Sequence, residues 1–306
     1  MGSSKTNRFI FLSIIGIFCF NSVINSIYAQ TNQNNHNTLL WEISGKTLVR
    51  PVYLFGTFHL MCADELPFSD TVYAIIQQSD ALILEMDLDD PAVSKEAMMG
   101  MKMKHGKKLR DLYTKEEYKR LADYFSDSLK IKIEFWERNA PVMLESMVMM
   151  KLFTCRQLTS PEKTLMDLIK KNGKPVYGLE TMAEQKAVMD NITLENQAKS
   201  LLSLVDSMEI FKDQLLREKS TYLSQELDLF LEPIDDRTTP EFEKIILDNR
   251  NALWIKRLPK LWKQGGVMIA VGAAHLPGKH GLIKLLRKSG YQVKPVPNPL
   301  TVQKQF

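Results

Sequence analysis

The run Val267-Met268-Ile269-Ala270-Val271-Gly272-Ala273-Ala274-His275-Leu276 has a near copy far upstream, Pro51-Val52-Tyr53-Leu54-Phe55-Gly56-Thr57-Phe58-His59-Leu60. Each is a short apolar, partly β-branched stretch that ends in Gly-x-x-His. That length and composition predict a buried strand in each. The glycine ends the strand and lets other groups approach the backbone closely. The histidine then falls just past the strand end, where open α/β sheets place their sites. We expect His59 and His275 to converge on one metal.

Outward from the first run, Leu39 to Ile43 and Leu48 to Phe55 read as strands around a Gly45-Lys46 turn. Phe68 to Ser79 has helical spacing, with Phe68, Val72, Ile75 and Ile76 on one face. Ala81-Leu82-Ile83-Leu84-Glu85-Met86-Asp87 is a further strand that ends in carboxylates. Helices are then expected from Pro91, from Thr114 (a cap followed by early acids), from Pro141 to about Phe153, and over Lys163 to Lys171. Pro175 to Leu179 is a short strand with Glu180 at its end, and Thr181-Met182-Ala183-Glu184 has the form of a capping box. Leu194 to Leu231 is mostly helical. Glu241 to Trp262 is helical with a break near Pro259, and Leu282 to Lys288 and Tyr291 to Pro295 close the chain as helix and strand.

This order predicts a mixed α/β fold. Its central mixed β-sheet is built from both ends of the chain, with a long helical insertion over about residues 91–265.

The first 29 residues stand apart from this pattern. Lys5 and Arg8 precede the apolar run Phe9 to Phe20, and the segment ends on the small Ala29, as in a secretory signal. The apolar run is about 12 residues, short of the roughly 20 that span a bilayer, which argues against the rival reading of an uncleaved anchor. We therefore expect export (periplasmic, outer-membrane-associated or secreted) after cleavage near Ala29. Residues 30–38 would be a flexible leader and 39–306 a single domain with no transmembrane segment. Cleavage removes two basic residues from a chain of formal charge +4. The near-neutral remainder has no basic cluster with interleaved aromatics, so nucleic acid is not expected as a partner. Cys62 and Cys155 are the cysteines left after cleavage, and an even pair in an oxidising compartment is expected to form a disulfide.

The chemistry expected of the site follows from its residue types. A divalent metal takes neutral imidazoles and carboxylates, and a catalytic site leaves a coordination position open. His59 and His275 supply the nitrogens. Glu85 and Glu180 both follow buried strands, where a carboxylate is costly to desolvate unless it is paired or bound. Arg250 is a candidate partner for one of them, or for a substrate carboxylate or oxyanion. His280 lies in a Pro-Gly-rich loop and reads as solvated; His36 and His105 lie in polar stretches. The chain carries no His-Glu-x-x-His helix, no Gly-x-Ser-x-Gly elbow and no phosphate-cradling glycine loop.

These motifs, taken in order, resemble the TraB/GumN family, whose relatives include the Tiki-type metalloproteases. The residues that carry the resemblance are Leu54-Phe55-Gly56-Thr57-Phe58-His59, Leu84-Glu85-Met86-Asp87, Gly178-Leu179-Glu180-Thr181 with Glu184-Gln185, Arg250-Asn251, and Val271-Gly272-Ala273-Ala274-His275-Leu276-Pro277-Gly278 with Gly281-Leu282. They cover about residues 39–298. The resemblance implies a core shared with erythromycin-esterase-like and haem-uptake proteins. It also implies a metal-dependent peptidase that uses both Gly-x-x-His histidines and a glutamate, with manganese or cobalt favoured. Carried over, the metal ligands are His59, His275 and one of Glu85 or Glu180, and Glu85 is our choice. Glu180 would then be a second acid or the general base, and Arg250 would stabilise negative charge or hold substrate. The alternative is a non-enzymatic exported protein that binds haem, a metal or a small ligand. Hydrolysis of an ester or lactone remains open beside peptide or protein substrates.

Overall fold

The computed structural model describes residues 37–93, 95, 102–231 and 240–300. The expected signal segment 1–29 and most of the expected leader lie outside the described residues, as does all but the opening of the helix expected from Pro91. The strands are β1 (Leu40–Ser44), β2 (Val52–Thr57), β3 (Met61–Cys62), β4 (Leu82–Met86), β5 (Leu158–Thr159), β6 (Val176–Glu180), β7 (Met268–Gly272) and β8 (Gln292–Pro295). The described α-helices are α1 (Asp70–Gln78), α2 (Lys115–Tyr124), α3 (Pro141–Met149), α4 (Pro161–Lys171), α5 (Met182–Met189), α6 (Leu194–Asp206), α7 (Met208–Ser224), α8 (Pro240–Glu243), α9 (Asn249–Trp262) and α10 (Leu282–Lys288).

Six strands form one sheet in the order β6-β4-β7-β2-β1-β8, so both ends of the chain do meet in a mixed α/β sheet. β4 and β2 flank β7 in parallel, and β6 runs parallel to β4. The β1 strand turns back antiparallel to β2 through Gly45-Lys46, both with positive φ, and β8 pairs antiparallel with β1. β7 is buried at every position. Its side chains alternate between the two faces of the sheet, so burial at every position means both faces are covered there, which is why its sequence is apolar throughout rather than alternating. The register sets Gly56 beside Val271 and Thr57 beside Gly272. The two Gly-x-x-His segments therefore leave the sheet side by side, at the carboxyl edge shared with β4 and β6.

Within residues 91–265 the strand read at Pro175 to Leu179 is formed, and it joins the sheet as β6. In the same segment, α3 packs on α6, and α2 packs against α6 as well. The capping box read at Thr181 is formed, with Glu184 as the reciprocal acid, and the cap read at Thr114 is also a full capping box, closed by Glu117. Pro259 does not break α9, which runs through it to Trp262; the irregular turn lies earlier, at Lys244–Asp248. Helix α7 is tied to the sheet by the buried Tyr222, whose hydroxyl donates to the Gly56 carbonyl at 2.9 Å and whose ring packs on Phe58. Basic residues between 102 and 110 are partly neutralised, with Lys104 near Asp190, Lys107 near Glu195 and Arg110 bonded to Glu137.

Cys62 and Cys155 form a disulfide. Beside it, β3 and β5 make a two-residue antiparallel ladder that pairs Met61 with Thr159 and Cys62 with Leu158. The loop after His59 is thus fastened to the entrance of α4.

Candidate metal centre

His59 and His275 stand past the ends of β2 and β7, and Glu85 and Glu180 on β4 and β6 face the same edge. Glu85 Oε1 lies 3.9 Å from Nε2 of His59 and 3.8 Å from Nε2 of His275. The Gly272 N–H donates to that oxygen at 2.8 Å. Gly272 also has no side chain to block this space: a Cβ there would come within 3.1 Å of His59 Nε2 and 3.4 Å of Glu85 Oε1. The Gly56 position is the counterpart, since its Cβ would meet Ala273 and Leu276 at 3.1 to 3.2 Å. Each motif's glycine makes room for the other motif.

Arg250, on the second residue of α9, reaches into the same space. Its Nη2 bonds Glu85 Oε2 and Glu180 Oε1, each at 2.5 Å, and its Nε bonds Glu180 Oε2 at 3.1 Å. Its Nη1 donates to Nε2 of His275 at 3.2 Å. Trp254, one turn on, places its ring under the guanidinium and beside the imidazole, with centroids 4.4 Å apart in the latter pair. Glu180 therefore meets Arg250 with both oxygens, while Glu85 is the acid within 4 Å of both imidazoles.

Charge follows from these contacts. Burial opposes ionisation of Glu85, yet Arg250, the two histidines and the Gly272 N–H hold its carboxyl far below the usual range. Burial pushes Glu180 up, with Glu85 adding to it and Arg250 opposing. Burial lowers His275 to about 3, and Glu85 offsets this only in part. His59 is less enclosed than His275; burial lowers it too, but the charge and hydrogen bond of Glu162 outweigh this and raise it.

Glu162 was not among the residues singled out from sequence. It follows Ser160-Pro161 at the start of α4, where an acid is ordinary in any helix. Here its Oε1 lies 2.6 Å from His59 Nδ1 and 2.6 Å from the Thr57 hydroxyl. Asn251 plays the matching part for His275, with Oδ1 2.7 Å from Nδ1. His280 is exposed and takes part through its backbone carbonyl alone, which accepts from Asn251. His105 is exposed and remote in sequence from every strand end, and His36 lies outside the described residues.

Among the described residues, no group of three His, Cys, Asp or Glu side chains is closed to metal-binding distances. Ligands at about 2.1 Å in a tetrahedron stand about 3.4 Å apart, so the gaps around Glu85 are a few tenths of an ångström wide. In kind, the donors fit a divalent ion: two imidazoles tethered at Nδ1 present Nε2, beside an ionised carboxylate.

A family model described as TraB/PrgY/gumN family matches residues 39–295. The chain belongs to that family. Among curated proteins it is similar to Metalloprotease TIKI2 of Danio rerio and of Xenopus tropicalis, each 22% identical over 87% of this chain. It is also 21% identical to Metalloprotease TIKI1 of Homo sapiens over the same share. The matches cover 61 to 63% of these relatives' own length, so the chain spans under two thirds of the proteins it resembles. No solved structure matches the chain. The helices of the described residues include none long and apolar enough to cross a membrane.

Proposed function

We propose that the protein is an exported hydrolase dependent on a divalent metal, with peptide bonds as its substrate class. The observation that carries this reading is the convergence of His59 Nε2, His275 Nε2 and Glu85 Oε1 at the carboxyl edge of the sheet. The relatives, all named as metalloproteases, suggest the reaction class. The disulfide supports export, because such bonds persist in oxidising compartments.

His59, His275 and Glu85 would hold the ion, with manganese or cobalt favoured by the family. When bound, it would lower the pKa of a water and polarise the scissile carbonyl. Glu85, kept ionised by its surroundings, supplies negative charge without a change of protonation. Arg250 brings a permanent positive charge to where an oxyanion would develop. Glu180 acts by gripping Arg250, since both of its oxygens are taken by the guanidinium. Gly272 keeps the space between the imidazoles free of side chain.

The test is cleavage of a peptide library by the purified protein with Mn²⁺ or Co²⁺, abolished by a chelator. His59→Ala and His275→Ala should each remove metal binding while leaving a folded chain. Stoichiometric metal retained by both variants ends this reading, and spectral binding of haem without turnover favours a carrier instead.

A further inference from the structure

The two histidines are held by chemically different groups, and that difference assigns a role to Glu162. A carboxyl oxygen that takes a hydrogen bond from a hydroxyl is an acceptor, and it has a second lone pair for another donor. Glu162 Oε1 takes such a bond from the Thr57 hydroxyl and faces His59 Nδ1 at 2.6 Å, so the ring proton sits on Nδ1 and the lone pair on Nε2. For His275 the same result follows by another route. Asn251 Nδ2 donates to the carbonyls of His275 and His280, which fixes its Oδ1 as the acceptor toward Nδ1. Arg250, a donor in every protonation state, faces Nε2. Both rings are thereby committed to the tautomer that a neutral imidazole in water does not favour.

The position of Glu162 is built rather than incidental. The residue is 4% exposed and lies in the first turn of the 11-residue helix α4, whose N-terminus favours a carboxylate. Helix α4 has its own cap, with Ser160 Oγ accepting from Lys163 N, so Glu162 is not needed for that. The β3–β5 ladder and the Cys62–Cys155 bond lie between His59 and Glu162 along both strands of chain and hold the two in register.

We propose that Glu162 is a positioning residue that locks His59 as the Nδ1–H tautomer and aims its Nε2 at Glu85 and the facing His275. This rests on the metal-site reading for its purpose, though not for its geometry. A carboxylate behind the ring makes His59 a stronger electron donor than the amide-backed His275. The two imidazoles are then unequal ligands, with His59 the tighter.

The experiment is nitrogen NMR of the metal-free protein labelled with ¹⁵N-histidine, at a pH where the rings are neutral, with His59 assigned through His59→Gln. The expected result is a protonated Nδ1 and a bare Nε2 for His59. In Glu162→Ala the proton should move to Nε2, and in Glu162→Gln, which keeps an acceptor, it should stay on Nδ1. Co²⁺ titration of the same proteins should show affinity lower by about 10–100-fold in Glu162→Ala and largely restored in Glu162→Gln. A protonated Nε2 in the unaltered protein overturns the proposal without any variant having to fold, as does an Nδ1 proton retained in Glu162→Ala. If the tautomer is as stated but the unaltered protein binds no Co²⁺, the metal-site reading fails and the positioning role of Glu162 stands.

Discussion

A methyl group on Gly272 would stand 3.1 Å from Nε2 of His59, although the two residues belong to opposite ends of the chain. The backbone at Gly272 has ordinary angles, φ −50° and ψ 134°, so any residue can adopt them. The glycine is therefore needed for the space it leaves. Gly272→Ala should cost about 1–3 kcal/mol through overpacking and, on the proposed metal site, weaken Mn²⁺ binding by at least about tenfold, because the ring that must yield is then a ligand held from behind. Calorimetric titration checks this, and unchanged affinity would show that His59 is not used there.

Arg250 and the proposed metal would compete for the same groups, since the guanidinium touches Glu85 and Nε2 of His275. Removing one partner of a buried ion pair costs about 3–5 kcal/mol, so Arg250→Met is best made together with Glu180→Gln. We expect the double variant to bind Mn²⁺ more tightly than the unaltered protein and to turn over more slowly. The loss of a neighbouring positive charge favours the cation, whereas the transition state loses its counter-charge. Weaker metal binding would mean that Arg250 organises the ligands instead of opposing the ion.

The Cys62–Cys155 bond closes a sequence separation of 93 residues beside the site. Replacing both cysteines by alanine should cost about 2–5 kcal/mol of stability. The loss should be accompanied by weaker Co²⁺ binding, because the loop after His59 loses its fastening to α4. A fall in melting temperature with no change in affinity would confine the bond to a structural role.

Glu218 on α7 gives a pH test remote in sequence from the proposed metal ligands. It is 4% exposed, and burial pushes it up to about 8, with the Gln214 amide and the charge of Arg217 offsetting only part. The folded chain thus holds a proton that the unfolded chain, near 4.5, gives up. Its contribution to stability is fully present below pH 4.5 and is lost as pH rises through 8, at about 1.4 kcal/mol per unit. Glu218→Gln should therefore match the unaltered protein near pH 4 and be the more stable of the two by pH 8. Melting curves across that range decide it, and parallel pH profiles would refute the buried acid.

His275 works in the opposite sense. Its folded value of about 3 lies below the ordinary 6.5, so the unfolded chain takes up a proton first on acidification. Stability from this group is present above pH 6.5 and falls away toward pH 3, again by about 1.4 kcal/mol per unit. His275→Asn should flatten the acid limb of the melting profile, and an unaltered limb would place the loss elsewhere.

Much of the site was legible because its parts sit at strand ends, and strand ends are marked by local composition. Gly-x-x-His after an apolar run, and an acid after Leu82-Ile83-Leu84, are patterns of adjacent residues. Glu162 was invisible by the same logic. A first-turn acid after Ser-Pro serves any helix, and nothing local tells that its carboxylate will turn toward an imidazole 103 positions away. Pro259 misled in the other direction, since a proline in a periodic stretch predicts a break that α9 absorbs within its packed course.

The sequence by itself determined the mixed α/β class, the two strand-end histidines, the two competing glutamates and the cysteine pair. All follow from periodicity, composition or residue chemistry within a few positions. Tertiary structure alone decided between Glu85 and Glu180 as neighbour of the imidazoles, because that depends on strand order: β4 lies next to β7, and β6 lies one strand farther out. The same placement hands Glu180 to Arg250 and sets Glu162 and Asn251 behind the two rings. Such choices turn on distances across the sheet edge, which no local pattern of residues encodes.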